Sequence, residues 1–331
     1  RDQLPSQSDP TFVAAFFAVP KKFKDEFRPI ASLKPLNKKV CNSHFKMESV
    51  KSVRKWIVKD AFMISLDLSD AYLSLAVALD RWRFLGLEFE GIDYFYCCLC
   101  FGLNAGPRIF SKCLKRVIQF FRSSLAVWIT FYLDDLLAQN KDPQKLIFQS
   151  HLMILVLHLL GFRVNFKKSD LVPSQRVTYL GFVFDSVQMT VSLPPEKVQK
   201  VSKMVSEVIS EASISVKGLQ RLLGTLESTR AAVRVAPLHY RRAQALLVRA
   251  TKQKWPMKKR LSLSPAILEE LSWWVSDLAN HSSSPMRDSP AEISIWSDAA
   301  TKEGCGWGGY SSLGQSAQGI WTEEERKLHI N

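Results

Sequence analysis

Three aspartates are the residues of this 331-residue chain whose types and spacing point most directly to chemistry. Asp134 and Asp135 are adjacent and lie between two apolar runs, residues 125–132 and 136–138, while Asp67 ends a third, residues 63–68. Neighbouring side chains on a strand point to opposite faces, so an Asp-Asp pair can serve one target only where the backbone turns sharply. Oxygen-only ligands suit hard divalent cations such as Mg²⁺, which are held by few protein carboxylates plus substrate phosphates. Two such ions, about 3.5–4 Å apart, support nucleotidyl transfer by activating the attacking hydroxyl and steadying the leaving oxygen. An isolated Asp-Asp is an ordinary turn. The apolar flanks and the matching place of Asp67 argue for more.

The elements that must position these acids can be read from patterning. Residues 12–20 form a strand that ends at Pro20, and residues 28–40 a second strand and loop. Residues 45–56 read as helical, with Met47, Val50, Val53 and Trp56 at steps of three. Residues 71–84 are expected to be a helix or a bent connection, and residues 85–100 a hairpin around Glu90-Gly91. Pro107 opens a long helix whose buried face is marked by Phe110, Leu114, Ile118 and Phe121. A core helix over 147–160 closes at Gly161. Residues 177–184 and 188–193 are expected as the two strands of a hairpin. Helices follow: one over 195–211, one capped by Ser215 and one opened by Pro237. Residues 282–285 read as a linker, and 293–321 as a compact β segment opening another domain.

Composition excludes several classes. A content of 47% hydrophobic residues supplies a real core and excludes disorder. No apolar stretch of about 18 residues is present, so no membrane partner is expected. The six cysteines (Cys41, Cys97, Cys98, Cys100, Cys113, Cys305) repeat no ligand or disulfide spacing, and no second pair follows Cys97 and Cys100 to complete a zinc site. They read as reduced, mostly buried thiols of an intracellular protein of cytoplasm or nucleus. There is no signal peptide, and a chain beginning at Arg1 reads as a piece of something longer. The net charge of +14 is unevenly spread: residues 1–60 carry +7 and 191–260 carry +11, whereas 261–331 carry −6. Two basic segments around a nearly neutral middle suit a groove that tracks a phosphate backbone.

Together the motifs resemble those of reverse transcriptases. Tyr132-Leu133-Asp134-Asp135 resembles the Tyr-x-Asp-Asp motif, and Ser65 to Tyr72 the first catalytic motif. Phe101 to Phe110 resembles the Phe-Gly-Leu…Pro…Phe motif. Val19-Pro20-Lys21-Lys22, Arg28-Pro29-Ile30 and Leu36-Asn37 resemble the fingers motif, and Tyr179-Leu180-Gly181-Phe182 the primer grip. The motifs stand in family order and cover residues 12–331; Ser32 and Cys100 depart from the pattern, at places where an acid and a proline are usual.

The resemblance implies an α+β, right-hand polymerase of fingers and palm (1–193) and helical thumb or connection (194–281), followed by the start of a ribonuclease H-like α/β domain (282–331). It implies an RNA-directed DNA polymerase acting on an RNA template, a DNA primer, an RNA–DNA hybrid and dNTPs. Asp67, Asp134 and Asp135, helped by the Leu68 carbonyl, would hold two Mg²⁺ ions, with Mn²⁺ an alternative. Lys22 (or Lys21) and Arg28 would reach the triphosphate. Asp70 and Ala71 would offer backbone amides, Phe101 and Gly102 would lie against nucleotide and template, and Lys167 or Lys168 would protonate pyrophosphate. Tyr72 would sit beneath the sugar and exclude a ribose 2′-OH. Tyr179, Leu180 and Gly181 would hold the primer.

Residues 295–300 and 304–308 resemble the first ribonuclease H hairpin, with Asp298 as its first metal carboxylate; its remaining acids are expected beyond Asn331, so hybrid cleavage is not expected of these residues. Glu323, Glu324 and Glu325 read as a solvated turn. Within the family, residues 45–50, Pro107 to Phe110 and His329-Ile330-Asn331 look most like DIRS-type elements, with Gypsy-like LTR elements next. The alternative to an active enzyme is a decayed or domesticated nucleic-acid-binding protein. The residues set no oligomeric state.

Overall fold

A computed structural model describes residues 11–20, 27–41, 43–287, 292–300 and 306–326, without the side chains of 28 and 29. Lys21 and Lys22, Cys305 and the 329–331 segment therefore lie outside the described residues. The chain divides into two compact units, Arg1–Met286 and Arg287–Asn331.

The first unit is α+β. Its central five-stranded sheet runs in the order Trp128–Tyr132, Asp135–Asn140, Phe62–Ser69, Arg163–Val164, with Asp170–Ser174 also pairing to the Phe62–Ser69 strand. Strand alternation decides what each face carries. Ile64, Leu66 and Leu68, with Leu136 and Ala138, face the helices Gly106–Ser124 and Pro143–Leu159 and are buried against Phe110, Leu114, Ile118, Met153 and Leu157. Met63 and Leu137 lie on the opposite face, in a second core. Asp67 and Asp135 share that second phase, so the acids stand on the face the two helices leave uncovered.

The helix after Pro107 is as expected, and Pro143–Leu159 begins four residues earlier than its periodicity shows, because the Asp142 side chain caps the amides of Gln144 and Lys145. The expected 45–56 helix is shorter: only Val50–Trp56 is helical. Ser49 is extended and Ser52 accepts its amide, so the helix starts there, while Glu48 is drawn off to the edge strand of the central sheet. The 71–84 connection is two short 3-10 turns, Ala71–Ser74 and Leu79–Phe84.

A four-stranded sheet of Phe27–Ser32, Val13–Pro20, Gly86–Phe89 and Ile92–Phe95 includes the expected Glu90-Gly91 hairpin. Another sheet runs Arg176–Tyr179, Phe182–Asp185, Thr190–Ser192, Ser283–Pro285. It corrects two expectations. Residues 177–184 are two strands around a turn, because Leu180 and Gly181 both take positive φ (50° and 73°), the geometry of a two-residue hairpin loop. Residues 283–285 are a strand and no linker: they pair with Thr190–Ser192, and Ser284 is buried and donates to the Ala231 carbonyl. Around this sheet pack helices Pro195–Glu211, Val216–Glu227, Arg241–Lys252 and Pro265–Ser276, closing over a fully buried Trp274 whose indole donates to the His239 carbonyl. Ser215 caps its helix as expected, whereas Pro237 opens only a 3-10 turn before the helix that starts at Arg241.

The second unit is a three-stranded antiparallel sheet of Ile295–Ala299, Gly306–Ser311 and Ser316–Ile320. Glu323–Arg326 is a short helix, not the expected turn; Thr322 and Glu325 cap it reciprocally.

The cysteines depart from expectation. Of the five described, all free, Cys41, Cys97 and Cys113 are exposed and only Cys100 is buried; burial pushes the Cys100 thiol up to about 11. Among the described residues no helix is long and apolar enough to cross a membrane.

Candidate active site

The Asp-Asp pair straddles the end of a two-residue hairpin turn, Leu133-Asp134. Tyr132 pairs with Asp135 across it, and Leu133 takes φ 53°, a strained conformation for a branched side chain. Asp134 lies in the turn, and its carbonyl accepts the Leu68 amide at 3.0 Å. Asp135 begins the returning strand and stands directly opposite Asp67. Asp135 thus faces Asp67 in register, and Asp134 lies in the loop beside them.

The backbone of Asp67 is held from both sides. The Asn165 amide donates to its carbonyl at 2.8 Å, and its own amide donates to Ser169 Oγ at 3.0 Å. Ser169 in turn donates to the Asn165 carbonyl at 2.8 Å. Lys168 brings its ammonium to 3.9 Å from Asp67 Oδ1. Of the two lysines expected near pyrophosphate, both exposed, Lys168 is the one with an ion-pair contact to Asp67. Asn165 and Ser169 were not singled out from sequence, although the run Asn165 to Ser169 after Gly161 has the composition of an ordered turn.

Electrostatics mark the site as a concentration of negative charge. Burial, then the neighbouring Asp134 and Asp67 carboxylates, push Asp135 up to about 6. Asp67 is also raised, first by burial and then by Asp134, against the opposing pull of Lys168 and a hydrogen bond from Asn165. Because folded Asp135 holds its proton more tightly than the unfolded chain does, stability falls as pH rises from about 4 to about 6 and stays reduced above it. Asp135→Asn, with divalent cations chelated, should therefore raise the thermal midpoint at neutral pH by about 1–3 °C, the half-exposed group being discounted for screening. The gain should vanish near pH 4; a lower midpoint at neutral pH would contradict the charge-repulsion argument.

The donor set is all oxygen and fits a hard divalent cation. Among the described residues no three acidic, histidine or cysteine groups come together as a set that could by itself hold a metal ion. Two facing aspartates and a loop aspartate leave coordination positions open, as suits an ion completed by water and substrate oxygens. Leu68 is buried beside the turn.

Around the acids the structure gathers most of the other candidates. Asp70 takes φ 48° and starts the 3-10 turn that carries Ala71 and Tyr72. The Tyr72 ring contacts Phe101 (5.1 Å between centroids) and packs edge-on to Phe110 (5.3 Å). Burial and the nearby Asp134 raise its hydroxyl pKa. Gly102 needs its φ of 94°, and a side chain there would crowd the Ala31 carbonyl. Asn37 fixes this loop: its amide donates to the Gly102 carbonyl and its side-chain oxygen accepts the Asn104 amide, both at 2.8 Å. The buried Tyr179 hydroxyl donates to the Asp135 carbonyl at 3.0 Å, which ties the Leu180-Gly181 turn to the acids.

Glu48 is a further residue that sequence reasoning missed. It accepts from the Thr130 hydroxyl, from the Phe131 amide at 3.0 Å and from Arg122 at 3.0 Å, and so satisfies the edge strand that leads into the Leu133-Asp134 turn. Leaving such buried donors unpaired costs about 1–3 kcal/mol each. No spacing rule identifies a glutamate that reaches 83 residues along the chain. Asp298 lies in the second unit, on the strand Ile295–Ala299 opposite Gly308, and its carboxylate accepts the Ala299 amide at 2.8 Å. Lys22 lies outside the described residues. Arg28 lies on the strand Phe27–Ser32, and its side chain is outside the description.

Comparison with known proteins places this geometry. The sequence profile described as reverse transcriptase (RNA-dependent DNA polymerase) matches residues 19–184. The chain is 28% identical over 166 residues (50% of the chain, 9% of the relative) to the Gag-Pol polyprotein of Walleye dermal sarcoma virus. It is 27% identical over 207 residues (60% and 19%) to the retrovirus-related Pol polyprotein from transposon gypsy of Drosophila melanogaster. The chain thus spans a fifth or less of the length of these curated relatives. A foamy viral protease-reverse transcriptase in complex with dsDNA shares its fold at a TM-score of 0.70 and 18% identity, over 98% of this chain and 64% of that one. The same foamy viral enzyme with an RNA/DNA hybrid gives 0.67 at 18% identity, over 97% and 41%.

Proposed function

Since the chain belongs to the reverse transcriptase family, whose members use divalent metal ions, we propose that it is an RNA-directed DNA polymerase, adding deoxynucleotides to a primer 3′-OH on an RNA template. The observation that carries this reading is the register of the acids: Asp67 opposite Asp135, with Asp134 in the turn between the paired strands.

Two bound Mg²⁺ ions would activate the 3′-OH and steady the leaving oxygen. The chain's own residues do the rest. Asp67 and Asp135 supply facing negative charge that is relieved only when a cation arrives. The bracket from Asn165 and Ser169 fixes Asp67 before substrate binds, so little reorganisation remains for the reaction itself. Lys168, already drawn to Asp67, is the better placed of the two lysines to give a proton to departing pyrophosphate. Tyr72, wedged between Phe101 and Phe110, presents its ring where the sugar would lie, and the Asp70-Ala71 turn offers amides to phosphate oxygens. Arg28 and Lys22, on and after the strands that precede the palm, would meet the triphosphate. The turn at Leu180-Gly181 would hold the primer end.

The division into fingers and palm (1–193), thumb (194–281) and a ribonuclease H-like start (282–331) is part of this reading; the second compact unit begins at Arg287. Asp298 would be the first acid of that domain. The DIRS-type assignment rests on residues 45–50 and on Pro107 to Phe110. Intracellular action follows from the substrates.

Extension of a DNA primer on poly(rA) by the purified chain, with dTTP and Mg²⁺, tests the reading. Product is expected on the RNA template. Hybrid binding without product in either Mg²⁺ or Mn²⁺ would overturn it in favour of a decayed, nucleic-acid-binding protein.

A further inference from the structure

Lys197 stands apart from the other basic residues of the 191–260 segment because it is half-buried. It sits in the first turn of the helix Pro195–Glu211, and its ammonium lies 4.4 Å from the centroid of the Phe182 ring. Among the described residues the ammonium's polar contact is a long 3.5 Å approach to the Ser228 carbonyl, at the end of the helix Val216–Glu227. Among the described residues no carboxylate pairs with it. Glu227, the acid next to Ser228, is engaged by the Tyr240 hydroxyl and by Arg230. Burial lowers the pKa of the Lys197 ammonium. An ammonium withdrawn from water without a counter-anion is unfavourable, and a ring face and a distant carbonyl compensate only in part.

The place of this cation matters more than its burial. A side chain built at Gly181 would end 3.9 Å from the Lys197 ammonium, so the charge lies against the exposed backbone of the hairpin turn. That turn is joined to the catalytic acids by the Tyr179 hydroxyl on the Asp135 carbonyl. An anion resting on Gly181 would meet Lys197 and stand one hydrogen bond away from the Asp135 backbone. Glycine at this position leaves the turn open to such an approach.

We propose that Lys197 contacts a phosphodiester of the primer strand near its 3′ end, holding that strand on the Leu180-Gly181 turn. The inference rests on the polymerase reading and deepens it. The primer is favoured over the template because its end must reach Asp67 and Asp135, to which the turn is tied. Phe182 and the Ser228 carbonyl then act as a rest that keeps the ammonium beside the turn until the phosphate arrives.

The test measures affinity for an RNA–DNA hybrid as a function of salt, for the wild type, Lys197→Met and Lys197→Arg, together with primers carrying one neutral methylphosphonate at each of the last few linkages. Loss of one phosphate contact should flatten the salt dependence by about one counterion, and Arg should restore it. One methylphosphonate position in the primer should weaken wild-type binding roughly tenfold and leave Lys197→Met unaffected, a coupling that a packing role for Lys197 would not produce. Equal sensitivity of wild type and Lys197→Met at every primer position, or coupling to a template linkage instead, overturns the proposal. Should Lys197→Met unfold, an unchanged salt slope and additive methylphosphonate effects in Lys197→Gln would overturn it equally. Wild-type chain that extends primers but shows no coupling refutes this inference alone; wild-type chain that binds no hybrid refutes the polymerase reading with it.

Discussion

Asp67→Asn and Asp134→Asn are each expected to slow nucleotide addition by about 10³-fold or more while the protein stays folded. The substitution keeps shape and removes one negative charge. Losing several kcal/mol of stabilisation where charge develops corresponds to a factor of that size. The folds of the variants should survive because the local backbone is held by main-chain bonds that Asn keeps. The Asn165 amide still reaches the carbonyl at 67, and the Leu68 amide still reaches the carbonyl at 134. For Asp67 the variant also removes a carboxylate that burial and Asp134 already disfavour, so its thermal midpoint should not fall. A rate within about tenfold of wild type in either variant would show that the carboxylate cluster is not the reaction centre.

The second large effect is expected at Tyr72. Its ring is fixed by contacts to Phe101 and Phe110 and by the left-handed Asp70 that launches its turn. Such a rigid wall rejects a sugar bearing an extra hydroxyl by steric bulk, and the discrimination available from shape alone is about 10–200-fold. Tyr72→Ala should therefore raise ribonucleotide incorporation relative to deoxynucleotide by about that range. Tyr72→Phe retains the ring and should retain selectivity, which separates the wall from the hydroxyl. Competition between a ribonucleotide and its deoxynucleotide during single additions reads this directly. Unchanged selectivity in Tyr72→Ala would move the sugar contact elsewhere.

Much of the palm was legible in the sequence because local rules and tertiary demands agree there. The strand under Asp67, the hairpin at Asp134-Asp135 and the helix after Pro107 each combine a clear apolar period with a clear terminator. Reading failed where a distant partner decided the local conformation. Residues 45–49 have helical spacing, yet Glu48 is claimed by Thr130, Phe131 and Arg122, and the helix begins only at Val50. Ser283–Pro285 has the composition of a linker, yet it completes a sheet with the distant strand Thr190–Ser192, Val191 standing opposite Ser284. The Leu180-Gly181 turn was hidden because Leu rarely takes a positive φ and gives no turn signal. For the site itself, the acids, Tyr72 and Phe101 stood out as parts of motifs, whereas the contact between the two rings did not. The bracket of Asn165, Lys168 and Ser169 and the tie from Tyr179 to Asp135 depend on how strands far apart in sequence align, which no spacing records.

The most direct single measurement is the divalent-ion dependence of one deoxynucleotide addition by the wild-type chain to a DNA primer on an RNA template, under single-turnover conditions. Addition should be absent in chelator, appear and saturate with Mg²⁺, and be supported by Mn²⁺ as well. Addition that persists in chelator, or that fails at every ion concentration while the hybrid is demonstrably bound, would contradict the assignment of Asp67, Asp134 and Asp135 as the metal-holding centre of a polymerase.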